Sequence, residues 1–127
     1  MLDSSFCIRL IRKRPEDLRQ RFNEEAAMLC LSTVVLHELL FGAEKSARPA
    51  ENRTEVERIT SRIVVLPFDE NAAAHSAEIR AALHRIGMTI GAMDTLIAGH
   101  ARSLGLIVVT GNLREFKRVD GLRSEDW

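Results

Sequence analysis

Cysteine is scarce in this chain. Cys7 and Cys30 are its two thiols, too few for a disulfide scaffold or a four-thiolate zinc site. Long hydrophobic runs are missing as well. No apolar stretch approaches the ~18 residues that span a bilayer, and Asp3 and Arg9 interrupt any signal-peptide core in MLDSSFCIRLIRKR. No membrane association is expected, and a reducing cytoplasm is the expected address. Net charge is absent too. Lys+Arg and Asp+Glu each number 18, which excludes a protein that grips nucleic acid by bulk charge and leaves local patches open. With 3 Pro, 7 Gly and no repeat or low-complexity segment, most of the chain is expected to be regular structure.

What is present suits a single globular unit over residues 1–127. Hydrophobic residues are 46% and charged residues 28% of the chain, the balance of a domain that buries one core. Met1-Leu2 leave little of any strand leading into Asp3, as though most of that strand were cut away. SFCIRLIRKR (5–14) predicts a short helix with Phe6, Ile8, Leu10 and Ile11 on its apolar side. Pro15-Glu16-Asp17 open a second helix carrying Leu18 and Phe22. MLCLS (28–32), IVVLPF (63–68) and LIVVT (106–110) are continuous apolar runs, as buried parallel strands are. Ser32 or Thr33 caps a helix through VVLHELLFGAEKS, with Val34, Leu39 and Phe41 facing inward and Gly42 permitting close packing. ARPAENR (47–53) is a polar break before a helix over 54–61. Asp69 or Asn71 caps a long Ala-rich helix, 87–91 is a loop, and MDTLIAGHARS (93–103) is a helix ended by Gly105. A last short strand falls near Leu122. Strands and helices alternate, which predicts an α/β sandwich: a mostly parallel central sheet flanked by helices.

In such a sheet, ligands sit beyond the carboxyl ends of the strands. Asp3 follows the first strand. Ser32 and Thr33 follow the second, with Glu38 a turn or so into the next helix. Asp94 lies in the first turn of its helix, and Thr110, Asn112 and Glu115 follow the strongest strand. Four acids from distant parts of the chain thus fall on one rim. Gathered carboxylates repel one another and raise each other's pKa. A hard divalent cation such as Mg²⁺ or Mn²⁺ offsets that charge with oxygen ligands, and the chemistry that uses such a site is hydrolysis of phosphate esters. Taken singly, Asp94 also reads as a helix cap and Glu38 as a solvated helix residue.

Four blocks carry a family resemblance: LDSSFCI (2–8), STVVLHELLFGAEKS (32–46), GAMDTLIAGHARSLGLIVVTGNLREF (91–116) and RVDGLRSEDW (118–127). The third is the most specific, with D-x-x-I-A-x-H-A, a strand, and then T-x-N-x-x-x-F. In these blocks the chain resembles PIN-domain proteins over essentially its full length, in particular VapC-type toxins of toxin–antitoxin pairs. The resemblance implies a Mg²⁺- or Mn²⁺-dependent endoribonuclease. Asp3, Glu38 and Asp94 match the metal-holding acids. Glu115 supplies the fourth charge, because Asn112 stands where the family often has Asp. Ser4 and Thr110 match hydroxyl positions near the metal. The family's Asp-Thr-Asn is here Asp3-Ser4-Ser5, so a hydroxyl is kept and an amide is lost. The resemblance further implies a homodimer, a VapB-type antitoxin, and operator DNA bound only through that antitoxin. The substrate it implies is structured RNA, with the initiator tRNA anticodon loop indicated by the enterobacterial character of the tail and third block.

Basic residues gather at Arg9, Arg12, Lys13, Arg14, Arg19 and Arg21, and again at Arg114, Lys117 and Arg118. Arg114, Lys117 and Arg12 are RNA-phosphate candidates; a solvated helix face is the plainer reading of the first group. The four histidines have no metal-ligand spacing, and His100 reads as a packed helix residue. Cys7 and Cys30 read as small buried groups. Phe22, Leu39, Leu40 and Phe41 serve either the core or contacts with a second copy or antitoxin, with Leu39 assigned to the core. Trp127 reads equally as an interface anchor or a tail residue. Two other functions remain open. A phosphoacceptor receiver domain would need paired acids after the first strand and a Lys after the last, and neither is there. A catalytically weakened PIN module acting as antitoxin-binding corepressor is the alternative that the missing amide at Ser5 and the short start before Asp3 leave open.

Overall fold

The middle of the sheet is made by one residue. Leu2 bridges Leu31 on one side and Val109 on the other, in parallel register, and thereby joins two pairs of parallel strands. The computed structural model describes residues 1–13 and 15–127; Arg14, counted above with the first basic group, lies outside the described residues. The elements run α1 (Ser4–Arg12), α2 (Glu16–Glu25), β1 (Cys30–Ser32), α3 (Thr33–Glu44), α4 (Pro49–Thr60), β2 (Val64–Leu66), α5 (Glu70–Arg85), α6 (Ala92–Ser103), β3 (Ile107–Val109), α7 (Leu113–Phe116) and β4 (Arg123–Glu125). A 3-10 turn over Ala26–Met28 leads into β1. β1 pairs with β2, Cys30 opposite Val64, and β3 pairs with β4, Ile107 opposite Arg123. Backbone hydrogen bonds from Leu2 N to Cys30 O, Val109 N to Met1 O and Asp3 N to Val109 O, each 2.9 Å, stitch the N-terminal residues between β1 and β3. The sheet order is therefore β2–β1–Leu2–β3–β4, all parallel, in a helix-rich α/β fold as the alternating segments predict.

The core forms where helices and sheet press together. Leu2, Phe6, Leu31, Val35, Ile97, Val108 and Phe116 are wholly or almost wholly buried. Several inward faces differ from the sequence expectation, because an α-helix repeats every 3.6 residues and not every two. On α1, Phe6, Cys7 and Leu10 are buried while Ile8 is exposed. On α3 the buried positions are Val35, Leu39 and Ala43; Val34 is half-buried, and Phe41 is 58% exposed with the Lys45 ammonium 4.9 Å from its ring centre. Val64 at the start of β2 is also exposed, since β2 lies at the sheet edge. Helix α4 starts at Pro49, inside the stretch expected to be a break, with proline in its first turn. α7 is a single extra helical turn that the sequence reading missed.

The close helix contact is not at Gly42, which has open space around its Cα. It is at Gly99 on α6. A Cβ there would stand 2.4 Å from the Ser76 backbone nitrogen on α5, so the two helices meet backbone to backbone. Arg102 reinforces the contact, donating to His75 Nδ1 (2.9 Å) and to Glu78 (2.7 Å). Trp127 folds back on the domain: its ring meets Phe6 edge-on at 5.7 Å, and the Arg21 guanidinium lies 3.7 Å above it. Arg9 is engaged beside it, with Asp126 and with the Trp127 carbonyl.

The Gly99 contact yields a direct test. Gly99→Ala forces α5 and α6 apart and is expected to destabilise the fold by about 2–3 kcal/mol, in the range of overpacked cores. Gly42→Ala, with open space and helix propensity in its favour, is expected to leave stability equal or higher. Urea unfolding of the two variants measures both, and equal stabilities would refute this packing.

Candidate active site

Asp3 is the floor of the site. It is 1% exposed, because it leaves the sheet centre and caps α1 in one step. Its Oδ1 accepts from Ser4 N (2.6 Å) and Ser4 Oγ (3.3 Å); its Oδ2 accepts from Ser5 Oγ (2.6 Å) and Thr110 Oγ1 (2.7 Å). Thr110 ends the β3 segment and in turn accepts from Asn112 N at 2.8 Å. The Ser5 hydroxyl also accepts from Gly111 N at 3.0 Å. Ser5 thus ties the start of α1 to the loop after β3. The sequence reading recorded Ser5 as a lost amide; its short hydroxyl in fact performs an orienting task, legible only once residue 111 is seen beside residue 5.

Glu38 projects from the second turn of α3. Ser32 caps that helix by accepting from Val34 N at 3.1 Å, which aims the following turns along the rim. Burial pushes the Glu38 carboxyl above its ordinary pKa, and the nearby Asp3 charge adds to this, while a hydrogen bond with Ser4 and the charge of His37 work the other way. Its Oε2 is buried and has no hydrogen-bond partner.

Asp94 and Glu115 form the opposite wall. Asp94 sits in the first turn of α6, but the cap position is Gly91 and no side chain caps the helix. The plain capping explanation for Asp94 therefore fails. Burial, a hydrogen bond with Glu115 and the charges of Asp3, Glu115 and Glu38 push its carboxyl up to about 7. Glu115 on α7 moves down, through the hydrogen bond with Asp94, the Gly91 N–H at 3.3 Å, the Asn112 side chain and the Arg118 charge. The two carboxyls are thus pushed in opposite directions, Asp94 towards its protonated form and Glu115 towards its ionised form. The acids of all four segments therefore sense one another across a single rim.

Arg114 and Lys117 are exposed on either side of Glu115 in sequence. Arg118 donates to Thr89 O at 3.1 Å. Arg12 is not brought to the rim: it lies at the far end of α1, roughly 13 Å along the axis from Asp3 at 1.5 Å per residue. Of the remaining first basic group, Arg19 pairs with Glu16 and Arg21 with Glu25.

The fit of a divalent cation rests on donor chemistry. The rim offers hard carboxylate oxygens, and the buried, unpartnered Glu38 Oε2 is an orphan that a cation would satisfy. Among the described residues, no three carboxylate, imidazole or thiol groups are placed closely enough to enclose an ion as they stand. Among them, too, no helix is long and apolar enough to cross a membrane.

A family model described as PIN domain matches residues 1–122. The chain is 52% identical over 127 residues to a protein of Shigella flexneri named tRNA(fMet)-specific endonuclease VapC, covering 100% of this chain and 96% of that protein. A protein of the same name from Salmonella typhimurium is 50% identical with the same coverage. Among solved structures, the crystal structure of DNA bound VapBC from Salmonella typhimurium matches at a TM-score of 0.96 and 50% identity, covering 100% of this chain and 96% of that one.

The raised Asp94 carboxyl predicts a pH-dependent stability. The folded state holds this proton more tightly than the unfolded chain does. Its stabilising effect is therefore complete below the unfolded value near 4 and is lost as pH rises through about 7. Asp94→Asn removes the charge that appears above that pH. In metal-free buffer it is expected to raise Tm at pH 8 by on the order of 5 °C, and to leave it unchanged at pH 4. Thermal melts at the two pH values check this; an equal effect at both would show that the Asp94 carboxyl is not raised in the folded state.

Proposed function

The chain belongs to the PIN-domain family, alongside VapC-type ribonucleases, and from that premise we propose that it is the toxin of a type II toxin–antitoxin pair. Its activity is endonucleolytic hydrolysis of phosphodiesters in structured RNA, with the initiator tRNA anticodon loop as the target. The observation that carries this reading is the convergence of four acids on one rim: Asp94 feels the charges of Asp3, Glu115 and Glu38, and Glu38 that of Asp3. The reading takes residues 1–127 as one PIN domain. Extension of β4 to Glu125 and the packing of Trp127 on Phe6, both past the matched residues, support that span.

Asp3, Glu38 and Asp94 would hold a divalent cation, Mg²⁺ or Mn²⁺, with Glu115 and Asn112 completing the shell. When bound, such a cation supplies positive charge against the phosphate and makes a water molecule more acidic. The chain's own residues do the rest. Ser4, Ser5 and Thr110 hold the Asp3 carboxyl in one orientation. One of the rim acids orients the attacking water and takes its proton, and Glu115 is the one pushed towards its ionised form. Attack at phosphorus breaks the bond to the 3′ oxygen, leaving a 3′-hydroxyl and a 5′-phosphate. Arg114 and Lys117 hold neighbouring phosphates of the RNA.

The partners follow the same reading. A second copy makes a homodimer, a VapB-type antitoxin silences the site, and operator DNA is reached only through the antitoxin, in the cytoplasm. The corepressor alternative draws on the missing amide at residue 5 and on the short start before Asp3; the hydrogen bonds of Ser5 to Asp3 and Gly111 weigh against the first of these.

The purified, antitoxin-free chain is expected to cut initiator tRNA at one loop with Mg²⁺ or Mn²⁺ and not with EDTA. Asp94→Ala is expected to lower the rate by on the order of 100-fold or more. Gel analysis of a tRNA digest decides it, and intact initiator tRNA under all metal conditions would overturn the substrate assignment. Arg114→Glu with Lys117→Glu is expected to weaken cleavage by about tenfold at low salt, with Mn²⁺ uptake retained when measured by calorimetry. Unchanged cleavage would remove these two residues from RNA binding.

A further inference from the structure

His100 is buried to 2% exposure in the last turn of α6, with its Nδ1 2.9 Å from Ser32 Oγ, itself fully buried. It takes no part in the chemistry set out above. Ser32 Oγ already accepts the Val34 N–H at the start of α3. Its own hydroxyl proton then needs an acceptor, since a buried O–H left without one is costly. Nδ1 is that acceptor, which makes His100 the neutral tautomer with its proton on Nε2; burial, which pushes the imidazole pKa down, agrees. The ring also meets Phe68 edge-on at 5.7 Å, and the Phe68 N–H donates to Thr33 Oγ1 at 3.0 Å. Three segments therefore converge on this imidazole: the cap of α3, the turn after β2 and the last turn of α6.

These attachments matter because α3 carries Glu38 and α6 carries Asp94. Each acid lies six residues from its end of the link: Ser32 to Glu38, and Asp94 to His100. When both are ionised the two carboxyls repel each other, so the charged rim works against close approach of the helices. Apolar neighbours such as Val35, Ile97 and Ala98 share the core, but apolar contact is non-directional and permits sliding. A buried hydrogen bond of defined geometry does not.

We propose that His100 is a positioning residue for the cation site, which through Ser32 sets the spacing of Glu38 and Asp94. The proposal rests on the metal-dependent reading of the rim. The test compares His100→Leu, which fills the space without a polar atom, with His100→Asn, which returns a polar atom near the Nδ1 position. Three quantities are measured: Mn²⁺ affinity by calorimetry, thermal stability, and kcat and KM for tRNA cleavage. His100→Leu is expected to weaken Mn²⁺ binding by about tenfold, the scale of lost supporting interactions at metal sites. kcat is expected to fall by about the same factor with KM unchanged, and His100→Asn to recover most of both. Should His100→Leu fail to fold, Ser32→Ala, which deletes one oxygen, is measured in the same way. Lower stability with wild-type Mn²⁺ affinity and kcat would overturn the proposal and leave His100 a packing residue. Wild-type chain that binds Mn²⁺ but cuts no RNA would overturn the nuclease reading, while the affinity comparison still decides on His100. Wild-type chain that takes up no Mn²⁺ would overturn both.

Discussion

The buried carboxyl group of Asp3 is the constraint on which the rest of the structure turns. A polar group with almost no contact with water is tolerated only when its hydrogen bonds are met. Here they come from two places far apart in the chain, the first turn of α1 and the loop after β3. Meeting them fixes where the chain leaves the sheet and where β3 ends. It also fixes the entry to the loop that turns Asn112 and Glu115 back towards the rim. The sheet carries Asp3 to this place through Leu2, whose pairing with both Leu31 and Val109 leaves no choice of register.

Around that floor, the fold sets charge against charge. Glu38 and Asp94 arrive on separate helices and are both pushed towards their protonated forms, whereas Glu115 is pushed the other way. Environment alone separates three similar side chains. Asp94 is half-buried and faces other acids. Glu115 receives the Gly91 N–H, the Asn112 amide and the field of Arg118. In the proposed reading a cation held there would relieve the repulsion between ionised carboxyls, so that metal binding would also stabilise the fold. The backbone contact of Gly99 with Ser76 and the Arg102 bonds brace the helix that bears the strain.

Much of the fold was legible in the residues themselves. Continuous apolar runs at 28–32 and 106–110 marked parallel strands, since a strand covered on both faces has no polar side to show; the run at 63–68 marked β2 as well, although its edge position leaves Val64 exposed. Caps at Ser32 and Asp69 and the stop at Gly105 were legible because each acts through its nearest neighbours. The site acids were legible for a related reason: a parallel sheet sends every strand's carboxyl end to one rim, and position after a strand is a local property. Failures came where the answer depended on a distant segment. Phe41 was expected inside and Ile8 alongside it, yet which helix face meets the sheet is settled by the angle of packing. Gly42 and Gly99 look alike in sequence, and only the approach of Ser76 separates them.

The sequence by itself determined the α/β class, the four rim acids and the family resemblance, because periodicity, capping and motif spacing are short-range properties of the chain. Tertiary structure alone decided that Ser5 holds both Asp3 and Gly111, that Arg9 is taken up by the tail, and that Asp94 and Glu115 are pushed in opposite directions. It likewise decided that His100 meets Ser32. Each of these rests on groups separated by tens of residues in sequence, and hydrogen bonds and charge fields act across space with no regard for chain order.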